Sequence, residues 1–417
     1  MRRVAALLLD KQPLGRQLLG ELLLAALLLA FAPAAAAQAS MTFHLVGPTE
    51  PSERITGMYC ASVTTCVVST EHIGAPSHIY VTDGQSITAA VVTADSAMSE
   101  ALGVLGYVGF MGFAPVGDTL MVMVDGTGNA LLTATGDVSD PASWTASTIG
   151  IPDGSTSFGG GQQFGWGVKD GRWVYFQRST VYATTDTPSP GALWLPEWSP
   201  TPPGEVPSNL NELLRADPSL CIAQPSIGIS PKLLQPAYVA PDLSIVLYPA
   251  GARNQTSAVG PGVCVSTDGA ETFTHVPFPD VPGDLGPVGI ACSGLDVCVA
   301  YGGLQSAPES MYIYVTHDPE AGGASTWTRA RLPSLREDSR FRGVSFAPGG
   351  VVGWAVGAVG GSSPLLLSTN DGGATWTDVT SQVRALAPDT RLHSVYAFDE
   401  EHVWLGGENG VLLAGGY

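Results

Sequence analysis

Three short segments place an arginine at the head of a similar tetrapeptide: Arg54-Ile55-Thr56-Gly57, Arg340-Phe341-Arg342-Gly343 and Arg391-Leu392-His393-Ser394. A guanidinium grips a carboxylate, sulfate or phosphate through two parallel hydrogen bonds, so three at one structural position would make an anion site. Arg342 and His393 follow two residues behind an aligned arginine and would stand beside it. The alternative is local. Each arginine pairs with a carboxylate close in sequence, Glu53, Asp338 or Asp389, and the charges merely solvate a loop. Trp194 and Trp198 also carry binding chemistry, because they lie in a Pro-rich stretch outside any repeated pattern. Such aromatics stack on sugar rings or anchor a partner, and they serve equally to pin the stretch onto its domain. Arg329, Arg331 and Arg336 join Arg340 and Arg342 in a basic run, which is either a patch for an acidic partner or a solvated connection.

Other chemistries have less behind them. There is no Gly-x-Ser-x-Gly, no His-Glu-x-x-His and no phosphate loop. A glycosidase's two carboxylates are distant in sequence and need no short motif, so that reading stays open. Cysteine and histidine spacing does not suit zinc, with no Cys-x-x-Cys and no closely spaced His pair. Asp-Gly loops occur, but without the ligand spacing of a calcium loop. No cofactor and no metal is expected.

The chain has 417 residues, 18 basic against 37 acidic side chains and a net charge of −19, a balance that repels the phosphates of nucleic acid. Gly (51) and Pro (32) are abundant, yet 45% hydrophobic content argues for a packed core and against disorder. Arg2, Arg3, Lys11 and Arg16 precede an apolar run from Leu22 to Phe31, and Ala37-Gln38-Ala39 supplies the small residues a signal peptidase reads. Residues 1–39 are therefore read as a signal peptide, with an uncleaved anchor as the alternative. The expected location is secreted or periplasmic, with no membrane span in the mature chain. The six cysteines all follow this segment and suggest disulfides. Cys60–Cys66 and Cys292–Cys298 share a spacing and a strand-turn-strand setting, and Cys221–Cys264 is the pair left by elimination.

The elements that must position the arginines repeat along the chain. The sharpest pattern is Thr369-Asn370-Asp371-Gly372-Gly373-Ala374-Thr375-Trp376, echoed by Ser266-Thr267-Asp268-Gly269-Ala270-Glu271-Thr272-Phe273. Thr316-His317-Asp318 reaches Trp327 through a longer loop, Thr135-Gly136-Asp137 reaches Trp144 likewise, and Asp83 and Asp186 mark weaker copies. In each, Asp accepts backbone N–H bonds that close a hairpin turn, Gly supplies positive φ, and the aromatic packs back over the turn. Ser266, Asp268, Phe273, Asp318, Trp327, Asp371, Gly373, Thr375 and Trp376 are thus structural. Strand patterns precede each turn, for example residues 341–346, 353–357 and 364–368, then 392–398, 402–406 and 410–413. A unit of three strands, a turn and a fourth strand cannot bury both its faces alone, so copies must stack.

The order Trp354-x-x-Gly357 followed by Asp371-Gly372-Gly373-Ala374-Thr375-Trp376 resembles the bacterial neuraminidase repeat (BNR, or Asp-box) propellers. In pattern it is most similar to the photosystem II stability/assembly-factor-like propellers. The resemblance implies an all-β propeller of about seven four-stranded blades, and it implies fold far more than function. The expected domains are the signal peptide 1–39 and a single propeller 40–417 with a Pro-rich insert near 194–225. Residues 42–46 would supply the missing strand of the last blade and close the ring. Arg54, Arg340 and Arg391 would then sit on consecutive blades. The Asp-box family includes sialidases, whose Arg lies in a Phe/Tyr-Arg-Ile-Pro segment. Here Ser52-Glu53-Arg54-Ile55-Thr56 lacks both the aromatic and the proline. The sequence therefore points to a secreted, non-catalytic binding or assembly module for a protein or glycan partner. The alternative is a sialidase-like hydrolase of extracellular glycans.

Overall fold

The computed structural model describes residues 41–72, 78–90, 93–94, 109–116, 119–125, 130–148, 166–169, 172–177, 180–184, 195–198, 238–240, 244–250, 261–268, 274–281, 287–304 and 307–416. The segment 1–39, Trp194, Cys221, Phe273, Asp186 and nearly all of the 194–225 insert lie outside these residues. Thr42–Gly416 forms one compact unit. Its described strands make seven sheets that succeed one another along the chain, except that Thr42–Pro48 joins the last of them. Six have four strands, all antiparallel to their neighbours, and the second has five because Thr93–Ala94 pairs in parallel with Trp144–Thr148. This is the all-β propeller arrangement that the repeat implied.

The sixth sheet shows why the sequence folds this way. Its strands are Arg340–Phe346, Gly353–Val359, Ser363–Thr369 and the short Thr377–Asp378. Every residue of Gly353–Val359 is buried, so both faces of that strand need apolar or small side chains. The core lies between sheets. Phe346, Ala355, Leu365, Leu367 and Trp376 of the sixth sheet pack against Val299, Ile313 and Val315 of the fifth. The alternate residues of the fifth sheet, Cys298, Ala300, Tyr312 and Tyr314, face Leu247 and Val265 of the fourth. Equivalent cores join the first sheet to the second and the seventh to the first.

The seventh sheet draws on both ends of the unit. Leu392–Ala397, Val403–Gly407 and Val411–Gly416 come from the end of the chain, and Thr42–Pro48 adds the outermost strand. Thr42 pairs with Gly416 and Pro48 with Val411, which covers an edge that would otherwise stay open. Among the described residues no helix is long and apolar enough to cross a membrane.

Cys60–Cys66 and Cys292–Cys298 are disulfides, each joining residues directly opposite in an antiparallel pair. Cys264 is also disulfide-bonded, while its expected partner Cys221 lies outside the described residues.

The turn at Asp371 holds itself together. Its Oδ1 accepts from the Thr375 amide (2.8 Å) and the Thr369 hydroxyl (2.9 Å), and its Oδ2 accepts from the Thr375 hydroxyl (2.6 Å). Burial opposes ionisation of Asp371, but these hydrogen bonds outweigh it and hold the carboxyl below its ordinary value. Gly372 and Gly373 adopt φ of 70° and 87°, and Trp376 folds back to donate its indole N–H to the Gly373 carbonyl (3.0 Å). Ser266 repeats the Thr369 bond, donating its hydroxyl to Asp268 Oδ1 at 2.8 Å. Asp318 departs from the pattern. Its loop turns through a 3-10 segment, Pro319–Ala324, to which the carboxylate gives no cap bond, although Trp327 is still buried. Asp371→Ala is expected to cost about 1–2 kcal/mol in urea unfolding, because three acceptor contacts disappear at once. Asp318→Ala, with no such network, is expected to stay within about 0.5 kcal/mol of wild type.

Candidate functional site

Glu53–Cys60, Arg340–Phe346 and Leu392–Ala397 are the first strands of the first, sixth and seventh sheets, and they pack side by side. Ser394 donates its hydroxyl to the Ile55 carbonyl at 3.2 Å, and the Ala397 amide donates to the Ser345 hydroxyl at 3.0 Å. Each strand carries a one-residue bulge at the same place. Ile55 and Gly57 pair with Thr70 and Ser69, leaving Thr56 out of the ladder. Phe341 and Gly343 pair with Gly357 and Val356, leaving Arg342. Leu392 and Ser394 pair with Gly407 and Gly406, leaving His393. The shared bulge puts Arg54, Arg340 and Arg391 in register from sheet to sheet. It also re-aims Arg342 and His393, as bulges do for side chains near sites.

The five side chains interact. The positive charges of Arg340, Arg54 and Arg391 bear on Arg342, and those of Arg54, Arg342 and Arg391 bear on His393. Burial first, and then those three guanidiniums, push His393 down to about 2, so its imidazole is neutral throughout the physiological range. The His393–Glu408 contact, 3.3 Å from Nε2 to Oε1, is therefore a neutral N–H donating to a carboxylate. Arg391 Nη1 reaches the same Oε1 at 3.2 Å, and its Nε donates to the Gly361 carbonyl. Arg54 pairs with Glu71, directly across the antiparallel ladder.

Arg342 differs from these. Burial, followed by its three cationic neighbours, lowers its pKa, while Glu408 opposes that shift. It remains a cation all the same. Its Nε is buried with no hydrogen-bond partner, and among the described residues it forms no ion pair. A half-buried guanidinium with an unpartnered Nε among like charges gains from an anion placed beside it.

The sequence-adjacent pairing does not form at Arg54 or Arg391. Glu53 turns away to His78, and Arg391 uses Glu408 and not Asp389. Asp338 lies 3.7 Å from Arg336, whose side chain is 74% exposed. Successive side chains on a strand point to opposite faces, so the partners come from the strand opposite and not from the next residue. Glu71 and Glu408 were missed for that reason. The hairpin register that sets Glu71 against Arg54 is the signal that would have found it. Trp198 ends the edge strand Leu195–Trp198 of the third sheet, opposite Val181. Arg329 and Arg331 are exposed, and no cluster of metal-ligating side chains occurs among the described residues.

No protein-family model and no curated protein matches the chain. Solved structures do match in fold. YCF48 from Cyanidioschyzon merolae is 12% identical with a TM-score of 0.57, covering 89% of this chain and 98% of its own. A YCF48 bound to D1 peptide gives 13% identity and a TM-score of 0.53, with 90% and 96% coverage. The GH74 xyloglucanase from Xanthomonas campestris gives 15% identity and a TM-score of 0.53, covering 89% of this chain and 53% of the enzyme. At these identities the likeness concerns fold, and the fold is a β-propeller.

Proposed function

We propose that this protein is a secreted, non-catalytic β-propeller of the Asp-box type that binds a protein or glycan partner through an anionic group. Arg54, Arg340, Arg342 and Arg391 are the proposed anion contacts, with His393 as a neutral hydrogen-bonding wall. The observation that carries this is Arg342, a half-buried cation whose buried Nε has no partner and which forms no ion pair among the described residues, where three adjacent strands deliver further arginines. The side chains of Arg54 and Arg391 are 31% and 40% exposed, so a ligand has access. The turn chemistry at Asp371 supports the Asp-box reading, and the disulfides support an oxidising compartment. The peptide bound by a YCF48 supports a protein partner for a ring of this size. Trp194 and Trp198 are proposed as secondary aromatic contacts. No cofactor, metal or nucleic acid enters the proposal.

The test uses the triple variant Arg54→Ala, Arg340→Ala, Arg391→Ala against an acidic peptide and a sulfated glycan. Binding to one of them is expected to weaken by about 10- to 100-fold, and wild-type binding is expected to fall steeply with added salt. Unchanged binding in the triple variant would overturn the proposal. Turnover of fluorogenic glycosides, abolished by a single carboxylate substitution, would favour the hydrolase instead.

A further inference from the structure

We infer that Glu408 is an internal counter-ion that an incoming oxyanion displaces, and that it limits how tightly the arginine cluster holds a ligand. This deepens the binding reading above and rests on it. Two carboxylates stand among the arginines, and they are held differently. Glu71 faces Arg54 from the opposing ladder position and pairs with it closely. Glu408 uses one oxygen for both of its contacts, at 3.2 Å to Arg391 and 3.3 Å to His393. Both exceed the roughly 2.7–2.9 Å of a strong charge-assisted bond. Among the described residues its second oxygen has no partner, and the side chain is 28% exposed.

The backbone fixes where this carboxylate stands. Glu408 donates its amide to the Arg391 carbonyl at 3.0 Å, and Asn409 and Gly410, with φ of 56° and 66°, form the two-residue turn that follows. The Glu408 side chain thus starts from a rigid hairpin at the rim of the cluster, next to Arg391 and within electrostatic range of Arg342. A ligand oxyanion that pairs with Arg342 and Arg391 meets this like charge and takes over its weak bonds. The ligand chemistry is an oxyanion, supplied either as a carboxylate or as a sulfate.

Inorganic sulfate and succinate serve as separate probes, titrated at constant ionic strength with chloride as the balancing salt and followed by calorimetry and thermal shift. Glu408→Gln is expected to bind at least one of them about tenfold tighter than wild type, as loss of a like charge a few ångströms away requires. Glu408→Ala gives the same expectation should the glutamine variant pack poorly, and adding Arg342→Ala to either should remove the gain. The preferred probe tells a carboxylate source from a sulfate source. If wild type binds a probe and both Glu408 variants bind it no more tightly, the inference fails while the binding reading stands. If neither wild type nor the Glu408 variants respond to either probe, the arginine cluster is no anion site, and the binding reading fails with the inference.

Discussion

Gly357→Ala is expected to destabilise the protein by about 3 kcal/mol or more, although it adds a single methyl group to a strand. Gly357 stands opposite Phe341, immediately before the bulge at Arg342. A Cβ there would collide with the Arg340 carbonyl oxygen, which is backbone and cannot rotate away. The same relation recurs in the neighbouring sheets. Gly407 faces Leu392 before the His393 bulge, where a Cβ would lie 2.8 Å from the Arg391 carbonyl. Gly302 faces Pro287 before the Val288 bulge, where a Cβ would meet the Tyr312 side chain first (2.6 Å) and the Pro287 Cα at 3.1 Å. In these three sheets glycine makes room where the first strand bulges onto the second, whereas the first sheet holds buried Thr70 opposite Ile55 before the same bulge. Gly136→Ala is the control: that glycine has φ of 82° but open space around it, so only backbone strain of about 1–2 kcal/mol is expected. Urea midpoints measure both. A Gly357→Ala midpoint no lower than that of Gly136→Ala would refute the steric account. Because the obstructing atom belongs to Arg340, the variant should also lose its response to anions, including any response that native-like secondary structure would otherwise preserve.

This explains what could be read from the sequence and what could not. The strand patterns at 353–357 and 402–406 are visible as a repeat, and they fall within a few residues of Gly353–Val359 and Val403–Gly407. Residues with two buried faces leave a strong apolar pattern, so the sheets were legible. The reason for the glycine was not, because a bulge leaves no mark on composition. The alignment of Arg54, Arg340 and Arg391 survived because all three strands bulge at the same point, which keeps the sequence offset equal to the spatial one. Neighbours in sequence are not neighbours in space here: Glu71 arrives from the strand opposite Arg54, and Glu408 from the turn after Val403–Gly407. The parallel fifth strand Thr93–Ala94 also escaped, since two residues carry no periodicity. At Asp318 the expected turn bonds fail because Pro319 commits the longer loop to a 3-10 turn.

His78→Ala is expected to cost about 2–3 kcal/mol near pH 6, and to remove the pH dependence that the Glu53–His78 pair creates. Glu53 is 1% exposed, and its Oε1 lies 2.5 Å from His78 Nδ1. Burial opposes its ionisation, but the His78 bond, with Tyr80 and Thr49 alongside, outweighs burial and holds the carboxyl below its ordinary 4.5. Neither of those two hydroxyls makes a well-formed bond to Oε2. The bond to Glu53 raises His78 above its ordinary 6.5, against a smaller effect of burial and with help from the charges of Glu53 and Glu50. The two halves therefore act in opposite directions. The Glu53 contribution is present above pH 4.5 and is lost as pH falls through its lowered folded value. The His78 contribution is complete below pH 6.5 and is lost as pH rises through its raised folded value. Stability from the pair is greatest between those limits. The His78 side chain is 45% exposed, so solvent screens its charge and the gain belongs at the lower end of the range for a buried pair. The location gives the pair its leverage. The Glu53 backbone carbonyl accepts the Gly410 amide at 2.8 Å, and the Thr49 amide donates to the Gly410 carbonyl at 2.9 Å, where the chain passes from the seventh sheet into the first. Loosening Glu53 therefore loosens the turn that carries Glu408. Chemical unfolding of wild type at about pH 6 and pH 8 should show a loss at the higher pH that His78→Ala does not show. Equal losses in the two proteins would rule the pair out as the cause.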